Sequence, residues 1–161
     1  MDYRLYQNLQ NSLVQFLQTN ISDDSLTGDN GASIAVYAGY SRNKTWTLPC
    51  ISAYMESETL ERFEIGSNLR DDRQLLIIDI YGTNENERLS IAKWVVDTIN
   101  DGWRYFSYSF NVSNPESPNK SSGGMVNVDF LTNTKVALGQ NVDVWDAHRH
   151  RVSINVWITN N

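Results

Sequence analysis

Between Asp71 and Asp101 the chain reads DDRQLLIIDIYGTNENERLSIAKWVVDTIND, a strand and a helix back to back. Gln74–Tyr81 is apolar at nearly every position, which predicts a central strand over 74–81 covered on both faces. Asp79 interrupts one of those faces, and a buried carboxylate is expected to be paired with a neighbour. Gly82 breaks the strand. Asn84 stands three residues before Glu87, the spacing of a capping box, and a helix is predicted over 85–101. Leu89, Ala92, Val95, Val96 and Ile99 form its apolar stripe, and Gly102 supplies the stop.

Outward from this unit the pattern repeats in kind. Leu5, Leu9, Leu13 and Phe16 recur at helical spacing, so an amphipathic helix is predicted over 2–19, with Asn20 as its stop. Alternating stretches predict strands at 32–38, at 46–57 with Pro49 at a sheet edge or bulge, around Phe63 and Ile65, at 103–112, at 126–130, at 136–138 and, as the C-terminal strand, at 148–159. Residues 113–124, containing NPESPNKSSGG, combine two prolines, two glycines and small polar residues and predict a flexible loop. The order of helix, strands, helix, strands predicts an α+β fold. It is a mainly antiparallel β-sheet packed with two amphipathic helices, in a single domain spanning 1–161.

Composition narrows the function. Asp plus Glu outnumber Lys plus Arg by 19 to 13, a formal net charge of −6, which is the wrong sign for gripping a phosphate backbone. No apolar run approaches the ~20 residues that span a bilayer, and no membrane partner is expected. The start, MDYRLYQNLQ, lacks the layout of a secretory signal. Cys50 is the only cysteine, so an intrachain disulfide is excluded.

Catalytic and metal patterns are weak. Nucleophile-elbow, zinc-protease and phosphate-loop motifs are absent. His148 and His150 share a strand face and, with Asp143 or Asp146, have the spacing of a metal site, but no further His or Cys completes the sphere. Asp23, Asp24 and Asp29 in the acidic loop 22–31 lack the alternating ligands of a calcium loop, and solvation is the simpler reading. Cys50 is expected to be packing. Neither a metal nor any cofactor is expected, and no catalytic residue is assigned. Arg70, Asp71, Asp72 and Arg73 read as a solvated turn or an intersubunit ion-pair patch. Arg149 and Arg151 project from one strand face toward acidic groups of a neighbouring strand or subunit.

In three segments the chain resembles the tail-terminator (tail-completion, or neck) proteins of tailed bacteriophages: DYRLYQNLQNSLVQFL at 2–17, the strand and helix of 71–101, and DAHRHRVSINVWI at 146–158. The segment 103–124 is longer than that compact fold requires. The resemblance implies a structural virion protein without catalysis, assembled in the host cytoplasm. It forms a homo-oligomeric, usually hexameric ring at the head-proximal end of the tail. The ring ends tail-tube assembly and meets the tail tube protein and the head-side connector or stopper protein, while DNA passes through without specific binding. Other head–tail joining proteins share that description. Two further expectations compete: a carbohydrate- or ligand-binding module presenting Trp46, Trp103, Tyr105 and Trp157, and a small enzyme using Cys50 or Asp79 beside the histidines.

Overall fold

A computed structural model describes residues 4–39, 46–62, 70–111, 114–135 and 149–159. The elements run α1 (Leu5–Asp23), β1 (Ala35–Ala38), β2 (Cys50–Arg62), β3 (Arg70–Tyr81), α2 (Glu85–Ile99), β4 (Trp103–Asn111), β5 (Asn114–Lys135) and β6 (Arg149–Thr159), with a 3₁₀ turn at Asp29–Gly31. Among the described residues the strands form one six-stranded sheet ordered β1-β2-β3-β6-β5-β4. β1 and β2 are parallel; the other pairings are antiparallel. This is the α+β class expected. Among the described residues no helix is long and apolar enough to cross a membrane.

One apolar cluster joins both helices to the sheet. Leu9, Leu13 and Leu17 of α1 and Ile91, Val95 and Ile99 of α2 meet Ile78 and Ile80 of β3 and Val152, Ile154 and Val156 of β6. Those strand residues alternate, so one face of the sheet carries the helices. The opposite face of β3 is also buried, at Ile77, Asp79 and Tyr81, as the apolar run predicts. α2 departs from its predicted stripe: Leu89 is 45% exposed, and Arg88 is turned to the sheet instead. The cause is Gly82, where a Cβ would stand 2.9 Å from the Arg88 nitrogen and 3.0 Å from its Cβ. That contact lays the Arg88 side of the first turn on the chain. At the other end Gly102, at φ 75°, donates to the Ile99 carbonyl at 2.9 Å and ends α2 two residues before the predicted 101.

Several boundaries move because pairing outweighs local composition. β3 begins at Arg70, since polar Arg70–Arg73 pairs in register with Thr59–Arg62 of β2. β2 begins at Cys50 with strands on both sides, so Pro49 lies just before the ladder and removes no bond from it. α1 continues past Asn20, whose side-chain amide bonds back to the Phe16 carbonyl at 2.8 Å and does not stop the helix. From Asn114 on, the predicted flexible loop 113–124 is strand: Asn119–Ser122 and Gly124 pair with β4. β6 pairs with β5 only from Met125 onward, so Pro115 and Pro118 sit where one side of the strand carries no β6 ladder, and they cost it little. The predicted strands around Phe63 and at 136–138, and His148, Asp143 and Asp146, lie outside the described residues.

The sheet curls around α1. Asn8 accepts from the Tyr108 N–H of β4 at 3.3 Å, while Gln10 accepts from the Met55 N–H of β2 at 3.2 Å. Two residues of helix span only ~3 Å. In a flat sheet of this strand order β2 and β4 would lie four strand spacings apart, ~19 Å. One helix position reaches both only if the sheet wraps until its two edges flank α1. Ser12 serves the β4 edge further, accepting from the Phe106 N–H at 2.9 Å, and Gln18 donates to the Val36 carbonyl of β1 at 3.3 Å. α1 therefore occupies hydrogen-bonding groups of both edge strands, which exposed edges would offer to other chains.

Candidate functional site

The densest charged cluster lies on the sheet face away from the helices. Arg149 and Arg151 are two residues apart on β6 and so share a face; the register sets Arg151 opposite Asp79 and Arg149 opposite Tyr81. Asp79 is fully buried. Arg151 grips it in a fork, Nε to Oδ1 at 2.8 Å and Nη2 to Oδ2 at 3.0 Å, and Nη2 also donates to the Tyr54 hydroxyl at 3.0 Å. Arg149 Nη2 donates to the same Oδ2, and its guanidinium lies 5.6 Å from the centre of the Tyr81 ring. Burial, and next the Asp79 charge, push the Tyr54 phenol well above its ordinary range, so it stays protonated and donates to Asp79 at 3.4 Å. The hydrogen bond to Asp79 holds the Arg151 guanidinium above its usual value. The arrangement staples β2, β3 and β6 together. Guanidiniums release no proton near neutrality, so this cluster is built for rigidity, not proton transfer.

The other sequence-flagged residues are not gathered here. Arg73 pairs with Asp129 at the surface, and Arg70, Asp71 and Asp72 belong to the ribbon of β2 and β3 beyond the last β3–β6 pair, Gln74 with Val156. The predicted turn is thus a strand. His150 stands opposite Ile80, on the helix-bearing face, so Asp79 and His150 are on opposite sides of the sheet. Cys50 is sealed from solvent, and burial pushes its thiol up to about 12. Among the described residues no group of three His, Cys, Asp or Glu side chains is placed to hold a metal ion. The acidic loop is docked, not merely solvated: Asp24 accepts from the Trp94 indole at 2.8 Å, and Asp29 accepts from the Asn84 amide and donates its backbone N–H to Glu87 at 2.7 Å. The aromatics proposed for ligand stacking are largely spent inside the fold. Trp103 and Tyr105 are buried, and Trp46 stacks on Tyr37 with ring centres 4.2 Å apart.

What the sequence did not reveal is the unequal length of the strands. β6 meets β3 over Gln74–Tyr81 and β5 over Met125–Lys135. The two ladders of β6 end at different points, Gln74 with Val156 on the β3 side and Met125 with Thr159 on the β5 side, and beyond them the sheet forks. One prong is Arg70–Arg73 with its β2 partners; the other is Asn114–Gly124 with β4. At the far side, among the described residues, β1 covers β2 over Cys50–Ala53. The second prong is an arm of two strands, and Lys120 lies 3.9 Å over the Phe106 ring on it. The alternation of 103–112 is the signal that a partner strand is needed; the Pro, Gly and Ser content of 114–124 hides that partner. No family model matches the chain, and no curated protein is significantly similar to it.

Proposed function

We propose that this chain is a structural virion protein of a tailed bacteriophage. Copies join into a ring, hexameric by the resemblance above, at the head-proximal end of the tail. The ring ends tail-tube assembly and joins the tail tube protein to the head-side connector. The observation that carries this reading is the fork: strands that continue beyond their last β6 pairs and, among the described residues, a β2 edge longer than its β1 partner. A two-stranded ribbon is marginal alone in water. An arm of this length gains by laying its backbone edge or side chains against another chain, and head-to-tail contacts between unlike surfaces close into rings. The buried Asp79 staple suits the role, because a ring subunit transmits load through its sheet. A charge of −6 per copy, repeated around a lumen, repels DNA and lets it pass. A second head–tail joining role uses the same features, and the binding partner separates the two.

The test is electron microscopy of the full chain, alone and mixed with tail tubes of uncontrolled length. Rings, or caps at a single tube end together with arrested elongation, are the expected result. A protein that stays monomeric at high concentration and leaves tube growth unchanged overturns the proposal. Binding to isolated head connectors but never to tubes moves the chain to the alternative joining role.

A further inference from the structure

Beneath the first turn of α2 a buried cation keeps donors that no described residue accepts from. The Arg88 side chain is 1% exposed, and its Nη2 reaches Glu85 Oε1 at 3.2 Å. Its Nε and Nη1 have no hydrogen-bond partner among the described residues. His150 lies on the same helix-bearing face, opposite Ile80 of β3 and Lys135 of β5. It too is buried, with neither ring nitrogen partnered among the described residues. Lys135 Nζ comes back to Glu85 Oε1 at 2.9 Å. One carboxylate oxygen, on a side chain 56% exposed, therefore serves two cations.

This is an unusual balance. A guanidinium keeps its proton at any ordinary pH, and a sealed cation with idle donors is costly. The start of a helix adds partial positive charge to the same spot. The oxygens of the neighbouring Glu87 carboxylate are directed to Thr83 and to the Asp29 backbone. Burial, then Arg88 and Lys135, hold the His150 imidazole below its ordinary value, as a ring set beside two cations should be.

We propose that this layer is a binding site for a small oxyanion of the phosphate or carboxylate class, taken up by Arg88 Nε and Nη1 with His150 and Lys135 as the opposite wall. Arg88 Nε and Nη1 are sealed from solvent, so the ligand reaches them by displacing the exposed Glu85 carboxylate, the counter-ion it competes with. The site is independent of the assembly reading: it stands or falls on a ligand of a few atoms.

The experiment is thermal unfolding of the full chain in a buffer free of oxyanions, titrated with inorganic phosphate against potassium chloride at matched ionic strength, with acetate as a third arm. The midpoint is expected to rise with the logarithm of phosphate concentration and not with chloride. A response to acetate as well assigns a general oxyanion site; a response to phosphate alone assigns the phosphate class. Arg88→Met is expected to abolish the response and, without phosphate, to raise the midpoint, because it deletes an unpaired buried charge. Lys135→Gln, at a side chain 58% exposed, keeps the fold and is expected to weaken phosphate binding about tenfold. Equal midpoints in phosphate, acetate and chloride overturn the proposal, as does a wild-type phosphate response in both variants. Should Arg88→Met not fold, the wild-type titration, the Lys135→Gln titration and the His150 ring NMR shift on adding phosphate decide the question.

Discussion

Asp79 is the residue whose loss the fold can least absorb. It accepts from Arg149, Arg151 and Tyr54 while fully buried, so its neutralisation removes the carboxylate shared by the buried Arg149 and the half-buried Arg151. Asp79→Asn is expected to cost about 3–5 kcal/mol, read as a lower urea midpoint at unchanged slope. A loss under ~1 kcal/mol would mean that the arginines hold each other's surroundings without it. Two further residues set the acid limb of stability. Burial pushes the Glu87 carboxyl up, but the hydrogen bonds from the Thr83 side chain, the Thr83 backbone and the Asp29 backbone outweigh it and leave the group below its ordinary 4.5. The unfolded chain then binds more protons, so this contribution is complete above 4.5 and disappears as pH falls through the lower folded value. His150, held below 6.5 by burial, Arg88 and Lys135, has the same sign: its contribution is complete above 6.5 and is lost as pH falls through its folded value. Stability in phosphate-free buffer should therefore decline in two steps on acidification. His150→Gln should remove the upper step and Glu87→Gln should flatten the lower, by chemical denaturation across the pH range. A single step unaltered by both substitutions would refute the assignment.

At the scale of elements, α1 is both core and edge cover. Its leucines enter the apolar cluster, while Asn8, Gln10, Ser12 and Gln18 hydrogen-bond strand backbone that would otherwise face outward. Ser12 accepts from the Phe106 N–H, and its own proton lies between the Asn8 carbonyl at 2.7 Å and the Phe106 carbonyl at 3.2 Å. Ser12→Ala leaves that buried N–H unsatisfied and is expected to cost about 1–3 kcal/mol. The diagnostic readout is hydrogen exchange: the Phe106 amide should lose protection while Leu76 and Ile78 in the sheet centre keep theirs. Equal loss at all three would point to global destabilisation and not to an opened edge.

For the whole molecule, the central question is whether the arm serves this chain's own stability or its contacts. Asn114–Gly124 has no β6 ladder beside it, and Asn119–Ser122 are exposed. Replacing Ser109–Lys120 by a tight two-residue turn is expected to change stability by no more than about 1 kcal/mol, since Ser109, Asn119 and Lys120 at the base of the arm are exposed. The same variant should fail to form rings or to cap tail tubes. A shortened chain that still caps tubes would remove the arm from the proposed interface and leave the β2 edge as the surface to test.

Much of this architecture was legible in the residues alone. The apolar run Gln74–Tyr81, the Asn84 cap and the alternation from Val152 to Ile158 each report whether neighbouring side chains face oil or water, and that is a property of local spacing. Asp79 was expected to find a partner, and β6 supplied two. The arm, the polar start of β3 and the burial of Arg88 were illegible for a common reason. Each is settled by groups distant in sequence: β4 pairing for Asn119–Ser122, β2 pairing for Arg70–Arg73, and the approach of Gly82 for Arg88. The curl is the extreme case, because Ser12 and Phe106, 94 residues apart, must meet before either edge is covered. Spacing thus determined which segments became helix or strand, and backbone hydrogen bonds made at long range decided where the strands ended and which edges stayed open.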